Sequence, residues 1–141
     1  MVEQSIDIAA SAQSIMAALA DLPAVASWVD GTSVEVLQVH DDGRPARARW
    51  SESYGPIPDE FILDYDWKGD ESCHWRLVEG RILQREDGSY TLTEVNERVT
   101  RVTYSLDLGL AIPLPSIVTD QIASSVVTAG LAALKNNVEA T

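Results

Sequence analysis

A carboxylate placed among aromatic side chains is the strongest chemical signal in this sequence. The segment 72–79 alternates, and one face of the predicted strand carries Cys73, Trp75, Leu77 and Glu79. A carboxylate that faces an apolar interior loses its hydration, so its pKa rises and it can act as a general acid or base. Glu79 is therefore the candidate catalytic residue. A strand that ends or bulges at Gly80 would instead leave Glu79 in solvent.

Aromatic side chains supply the walls of a predicted small-molecule pocket. Pockets for small molecules combine apolar and aromatic walls with a few polar groups. The tyrosine hydroxyls in this set could orient a ligand. The same rings could equally fill the interior, and the sequence leaves both alternatives open. The aromatic candidates for ligand contact are Trp28, Trp50, Tyr65, Trp67, Trp75, Tyr90 and Tyr104.

The remaining polar residues favour structural roles. His40, His74 and the single cysteine, Cys73, lack the spacing of a zinc site, so we expect no metal. The sequence has neither a glycine-rich phosphate loop nor a Gly-x-Ser-x-Gly elbow, and it implies no cofactor. We expect Cys73 in the core and His74 at the surface. The carboxylate pairs Asp59-Glu60 and Asp64/Asp66 are typical of a solvated charged face.

The elements that carry these residues follow from the periodicity of the apolar positions. A strand over 2–10 precedes a helix over 12–20 that Ser11 can cap, and Pro23 begins a second short helix that ends near Gly31. Gly55 to Pro58 break the chain, and Asp87-Gly88 indicates a further hairpin. The segments with period two are 33–40, 45–53, 60–68, 72–79, a short piece at 81–85, 89–95 and 98–108.

The C-terminal segment has a different period. Apolar residues between Ser116 and Val138 recur at spacings of one, three and four, which predicts a long amphipathic helix. Gly130 inside this helix indicates a gap or a close approach to another element. Ile122 and Val126 lie on the apolar stripe and are further candidates for ligand contact. Strands followed by one long helix predict an α+β domain in which the helix covers one face of an antiparallel sheet.

Composition narrows the classes of partner. The chain has 141 residues, which predicts a single domain over 1–141, and its net charge of −12 repels nucleic acid and anionic lipid. A single cysteine excludes an intrachain disulfide. The opening MVEQSIDI does not resemble a signal peptide, and no run of about 18 apolar residues predicts a membrane-spanning helix. We therefore expect a cytoplasmic protein with no stable membrane insertion.

The order of elements resembles the helix-grip superfamily, which includes START domains, plant pollen allergens and polyketide cyclase/dehydrase-like bacterial proteins. The segment 6–28 resembles the opening strand and helix pair of the last group. Residues 90–92 and 101–104 resemble its final hairpin, and Leu114-Pro115 resembles its entry into the long helix. The resemblance implies a seven-stranded curved antiparallel sheet wrapped around the C-terminal helix. It also implies a ligand tunnel between them, with Trp28 near the mouth.

Three functions are compatible with these observations. The first is binding or transport of a hydrophobic small molecule of the lipid, polyketide or quinone class. The second is a polyketide cyclase or dehydratase, which would confine a flexible substrate and use Glu79 or a tyrosine as acid or base. The third is a protein-interaction module with a filled core and an exposed apolar patch.

Overall fold

The computed structural model describes residues 1–54 and 56–140, with Tyr54 and Ile57 described by their backbone alone. The predicted chain break includes Gly55, which lies outside the described residues, and the strand after it begins at Ile57. The elements in chain order are β1 (Val2–Ile8), α1 (Ala12–Ala20), α2 (Leu22–Ser27), β2 (Ser33–Val39), β3 (Pro45–Tyr54), β4 (Ile57–Lys68), β5 (Ser72–Gly80), β6 (Leu83–Asn96), β7 (Val99–Leu110) and α3 (Ser116–Glu139).

The seven strands form one antiparallel sheet in the order β1-β7-β6-β5-β4-β3-β2. Consecutive strands from β2 to β7 are neighbours, and β1 closes the order against β7. Helix α3 packs on β1 and β7 and also contacts α1. The predicted helix-grip fold, with two short helices after the first strand, is confirmed.

Local capping explains where the two short helices begin. Ser11 Oγ accepts a hydrogen bond from Ser14 N at 3.1 Å, which satisfies one amide of the first turn of α1. Asp21 Oδ1 does the same for Ala24 N at 3.3 Å at the start of α2. Pro23 lies in the first turn of α2, where its missing N–H is not required. Helix α2 ends at Ser27, earlier than the predicted end near Gly31.

The hairpin predicted at Asp87-Gly88 is wrong, because both residues lie inside the single long strand β6. Asp87 and Gly88 pair with β5 on one side and with β7 on the other. Gly88 therefore has a packing role in place of a turn role. A Cβ at position 88 would lie 2.4 Å from Trp75 Cε2, so only glycine leaves space for that indole.

Helix α3 covers the sheet unevenly. Its buried residues are Ala123, Val127, Leu131, Leu134 and Val138. Nearer the N-terminus of the helix, Ile117 is 66% exposed and Val126 is 42% exposed. By length and composition the helix could cross a membrane, with a mean hydropathy of 1.4 over 18 residues, but its buried stripe packs on the sheet as in a core helix.

The close approach predicted at Gly130 is confirmed. A Cβ at this position would lie 3.0 Å from Tyr104 Cε2 and 3.6 Å from the hydroxyl of Tyr90. Helix α3 therefore rests on this tyrosine pair, and glycine at position 130 sets the distance between the helix and the sheet.

Asp59 corrects the prediction of a solvated Asp59-Glu60 pair. Its carboxylate is 3% exposed and accepts hydrogen bonds from the amides of Arg81, Ile82 and Leu83 at 3.0–3.3 Å. It therefore holds the connection between β5 and β6 in place. Glu60 is exposed as predicted and pairs with Arg49 at 3.3 Å. Asp64 pairs with Arg47 on the outer face, in agreement with the charged surface predicted there.

Candidate functional site

A continuous row of aromatic rings lines the space between the sheet and α3. Tyr65 stacks with Trp67, with ring centroids 6.0 Å apart, and lies 6.3 Å from Trp75. Trp75 in turn contacts Tyr90 at 5.3 Å and Tyr104 at 5.6 Å. These five residues come from four different strands, β4 to β7. They share one face because strand side chains alternate and the sheet curves around that face.

Each indole of this interior has a polar partner. Trp50 Nε1 donates a hydrogen bond to Tyr65 Oη at 2.8 Å, and Trp75 Nε1 donates to Glu86 Oε2 at 2.7 Å. Trp67 Nε1 donates to the carbonyl of Pro45 at 2.7 Å. The contact between Trp75 and Glu86 is unusual, because it brings a carboxyl group into the aromatic row.

Glu86 lies on β6, two positions before Gly88, and shares the interior face with Tyr90. Burial among the aromatic side chains raises the pKa of Glu86 from 4.5 to about 8, and the nearby carboxylate of Glu52 contributes to this rise. The hydrogen bond from Trp75 opposes the shift. At neutral pH the Glu86 carboxyl therefore carries a proton.

Glu52 is the second acid of the interior. It lies on β3, two residues after Trp50, and faces Asp59 across the β3–β4 pair. Burial raises the pKa of Glu52, and the charge of Asp59 adds to the effect. Asp59 is stabilised by four backbone amides, whereas no described side chain or amide donates a hydrogen bond to the Glu52 carboxyl.

Accessibility differs among the residues of the interior. Ile8, Ile15 and Leu134 are completely buried. Several other residues on the interior face keep part of their accessible surface. They are Glu52, Glu86, Tyr90, Leu110 and Ile122. A water-sized probe therefore reaches the two acids although protein surrounds them.

The predicted ligand-contact residues divide into three groups. Trp50, Tyr65, Trp75 and Tyr104 are buried in the aromatic row, and Tyr90 is half-buried there. Three others are half-buried at the margins of the core: Trp28, Trp67 and Ile122. Val126 is on the solvent-exposed side of α3, so the prediction that it contacts a ligand in the interior is wrong.

Glu79 does not face the interior, and the prediction of a buried carboxylate there is wrong. Leu77 pairs with Leu63, but Glu79 pairs with Ile62, so Val78 is an extra residue that bulges the strand. The bulge turns Glu79 to the outer face, where it is exposed beside Arg49, Glu60 and Arg81 in a groove of about 350 Å³. A bulge was the alternative left open by the sequence, and it lies at Val78 rather than at Gly80.

Cys73 and His74 have the environments that alternation predicts. Cys73 is buried, and burial raises the pKa of its thiol to about 12, so the thiol is protonated and unreactive at neutral pH. His74 faces outward and its Nε2 lies 2.5 Å from Asp87 Oδ1. Within residues 1–54 and 56–140, no three His, Cys, Asp or Glu side chains come together as a metal site.

The sequence reasoning missed Glu86 and Glu52, which are the two acids of the interior. Glu52 continues the alternation of Ala48 and Trp50, and Glu86 has the same parity as Tyr90. Both signals were present in the sequence. The shared parity of Glu86 and Tyr90 was missed because the hairpin predicted at Asp87-Gly88 assigned the two residues to different strands.

A sequence profile described as polyketide cyclase / dehydrase and lipid transport matches residues 1–139. The chain belongs to this family. The match covers nearly the whole chain and agrees with the resemblance inferred from the order of elements. A search of curated proteins found no match.

Solved structures of similar fold include a START superfamily protein and an aromatase/cyclase. A START superfamily protein from Mycobacterium smegmatis superimposes with a TM-score of 0.90 at 21% identity, covering 98% of this chain and 96% of its own. A protein from Thermus thermophilus gives a TM-score of 0.79 at 20% identity, covering 99% and 97%. An aromatase/cyclase from Streptomyces sp. R1128 gives 0.81 at 17% identity, covering 98% and 92%. At these identities the likeness establishes the shared fold of the family.

Proposed function

We propose that this protein binds a hydrophobic small molecule of the lipid, polyketide or quinone class between the sheet and α3. The observation that carries the proposal is the partial accessibility of polar residues within the aromatic interior. There Tyr90 and Glu86 face inward, yet both keep accessible surface. Aromatic walls with a few convergent polar groups are typical of ligand sites. The family to which the chain belongs includes proteins of lipid transport.

Native mass spectrometry of gently purified protein tests this proposal first. A retained lipid, quinone or polyketide would support it, and extraction would identify its class. A bare mass is followed by titration with retinol, menadione and a linear poly-β-ketone, with tryptophan fluorescence as the readout. Trp75→Ala should weaken binding of whichever probe binds the wild type. Ser89→Ala changes an outward position of β6 and should leave that affinity unchanged.

A second candidate function is acid–base catalysis on a ligand held in the same space. Glu86 favours it, because a carboxyl group with a pKa of about 8 keeps its proton at neutral pH and can donate it to a substrate oxygen. This would suit cyclisation or dehydration of a polyketide. An enzyme predicts that the wild type converts the poly-β-ketone and that Glu86→Gln slows conversion more than it weakens binding. A carrier predicts binding without conversion in both proteins.

A further inference from the structure

We propose that the interior prefers an apolar ligand that carries a protonated amine, with Glu86 and Glu52 as its counter-ions. This inference rests on the proposed function, since it names the chemical class of ligand for the same space. Three properties of the described residues support it: the lack of a cation beside the interior acids, the unused acceptor positions and the neighbouring aromatic rings.

Within the described part of the chain, the carboxyl groups of the interior have no basic side chain beside them. Asp59, Glu52 and Glu86 face inward, whereas the cations of the described chain lie on the outside. Most of those cations are held in ion pairs, namely Arg44–Asp70, Arg47–Asp64, Arg49–Glu60, Lys68–Glu71, Arg85–Asp107, Arg101–Asp7 and Lys135–Glu139. The others, Arg76, Arg81 and Arg98, are exposed. The described residues therefore supply no cation to balance the interior acids.

Arg44 is the cation nearest to the aromatic row, and it is already engaged. Its guanidinium lies 5.5 Å from the ring centroid of Trp67, pairs with Asp70 and donates to the carbonyl of Gly69. Its positive charge opposes the rise in the pKa of the Cys73 thiol on β5. No ion pair joins Arg44 to Glu86 or Glu52 among the described residues.

Acceptor positions remain open on both acids. Trp75 occupies Oε2 of Glu86 and leaves Oε1 without a partner among the described residues. The Glu52 carboxyl has no donor at all within the same residues, whereas Asp59 is saturated by backbone amides. An ammonium group has three donors and no acceptor, so it complements two carboxyl groups with open acceptor positions.

Aromatic rings lie beside the same acid. Trp75 donates from its Nε1 to Glu86 and also contacts Tyr90 and Tyr104. The faces of such rings carry partial negative charge. Aromatic rings together with carboxylates are the usual environment for an organic cation. A ligand carboxylate would meet two acids and no cation, so the interior should reject it.

Binding of a cation should also change the protonation of the interior. The titratable groups that interact with Glu86 are Glu52 from β3, Tyr65 from β4, Tyr90 from β6 and Tyr104 from β7. Burial also raises the pKa of Glu52, and the Glu52 carboxylate raises the pKa of Glu86, so without ligand the two carboxyl groups titrate as a pair that retains a proton. An ammonium favours their charged forms and should release protons on binding.

Three probes with the same naphthyl body separate these effects by titration calorimetry at pH 7. We expect naphthylmethylamine to bind at least tenfold more tightly than naphthylmethanol, and naphthoate to bind most weakly. Amine binding should release protons, which is detected as a dependence of the observed enthalpy on the ionisation enthalpy of the buffer. Alcohol binding should show no such dependence. The Glu52→Gln/Glu86→Gln double variant should bind amine and alcohol equally.

Each outcome has a distinct meaning. If the alcohol or the carboxylate binds as tightly as the amine, the inference is overturned and the proposed function stands. If none of the three binds, the proposed function is overturned and the inference with it. Glu60→Gln removes an exposed acid next to Asp59 and should keep the amine preference. Circular dichroism checks the fold of the double variant, and if it is unfolded, Glu52→Gln alone should reduce both the preference and the proton release.

Discussion

The indole of Trp75 lies flat against the backbone of Gly88 on the neighbouring strand, and a Cβ on Gly88 would be 2.4 Å from the ring. This contact orients Trp75 so that its Nε1 reaches Glu86, two residues before the glycine. One missing side chain thus sets the position of the indole and, through it, that of the interior acid.

Gly88→Ala should move Trp75 and break its hydrogen bond to Glu86. Adding a methyl group to a filled site costs about 1–3 kcal/mol, and we expect the free energy of unfolding to fall by that amount. Near-UV circular dichroism and urea unfolding would measure both effects. Ser89→Ala, next in the chain but facing outward, is the matched control. An unchanged near-UV spectrum in Gly88→Ala would contradict the contact.

The pKa of Glu86 makes the stability of the protein depend on pH. The folded pKa of about 8 lies above the ordinary value of 4.5, so the folded state holds the proton more tightly than the unfolded state. The stabilisation is complete below pH 4.5 and is lost as pH rises towards 8, at about 1.4 kcal/mol per pH unit. The raised pKa of Glu52 acts with the same sign.

Glu86→Gln should remove most of this dependence. From about pH 5 to pH 8 the wild type should lose stability relative to the variant. Urea unfolding at several pH values measures this change in the free energy of unfolding. Glu60→Gln serves as the exposed control and should run parallel to the wild type. A constant difference between wild type and Glu86→Gln across this range would show that Glu86 is not desolvated.

Asp59 should be among the polar residues whose substitution destabilises the fold most. Asp59→Ala leaves the amides of Arg81, Ile82 and Leu83 without their acceptor, and each buried unsatisfied group costs about 1–3 kcal/mol. We expect a loss of several kcal/mol in thermal or urea unfolding. Glu60→Ala removes only a surface ion pair and should cost at most about 1 kcal/mol. Similar losses in the two variants would contradict the buried role of Asp59.

Gly130→Ala should fail to stabilise α3. Alanine gains about 1 kcal/mol over glycine in a helix interior, but the new methyl group would lie 3.0 Å from Tyr104 Cε2. Separation of α3 from the tyrosine pair should offset the gain, so that the melting temperature stays level or falls. Ser125→Ala on the exposed side of the same helix should raise it slightly. A clear rise in Gly130→Ala would mean that the helix can move away without cost.

Several features of the fold could be predicted because they depend on local patterns. Alternation over 60–68 identified β4, and the spacing of apolar residues between Ser116 and Val138 identified α3. The role of Gly130 followed from the cost of glycine within a helix. The order of these elements was sufficient to identify the family resemblance, since strands followed by one long apolar helix leave few ways to cover a sheet.

The site depended on information that is not local. Alternation assigns a residue to a face only while the register holds, and the bulge at Val78 reversed that assignment for Glu79. An Asp-Gly pair is typical of a turn. In this fold Gly88 lies within a strand, where it leaves space for the indole of Trp75 from the neighbouring strand.

The sequence by itself determined most of the elements, their order and the acidic charge of this protein. Only the tertiary structure decided which carboxyl groups are buried. Burial is a property of neighbours brought together from different strands: Glu86 from β6 lies beside Trp75 from β5 and Glu52 from β3. The desolvation that raises their pKa comes from those neighbours and not from any residue adjacent in the chain.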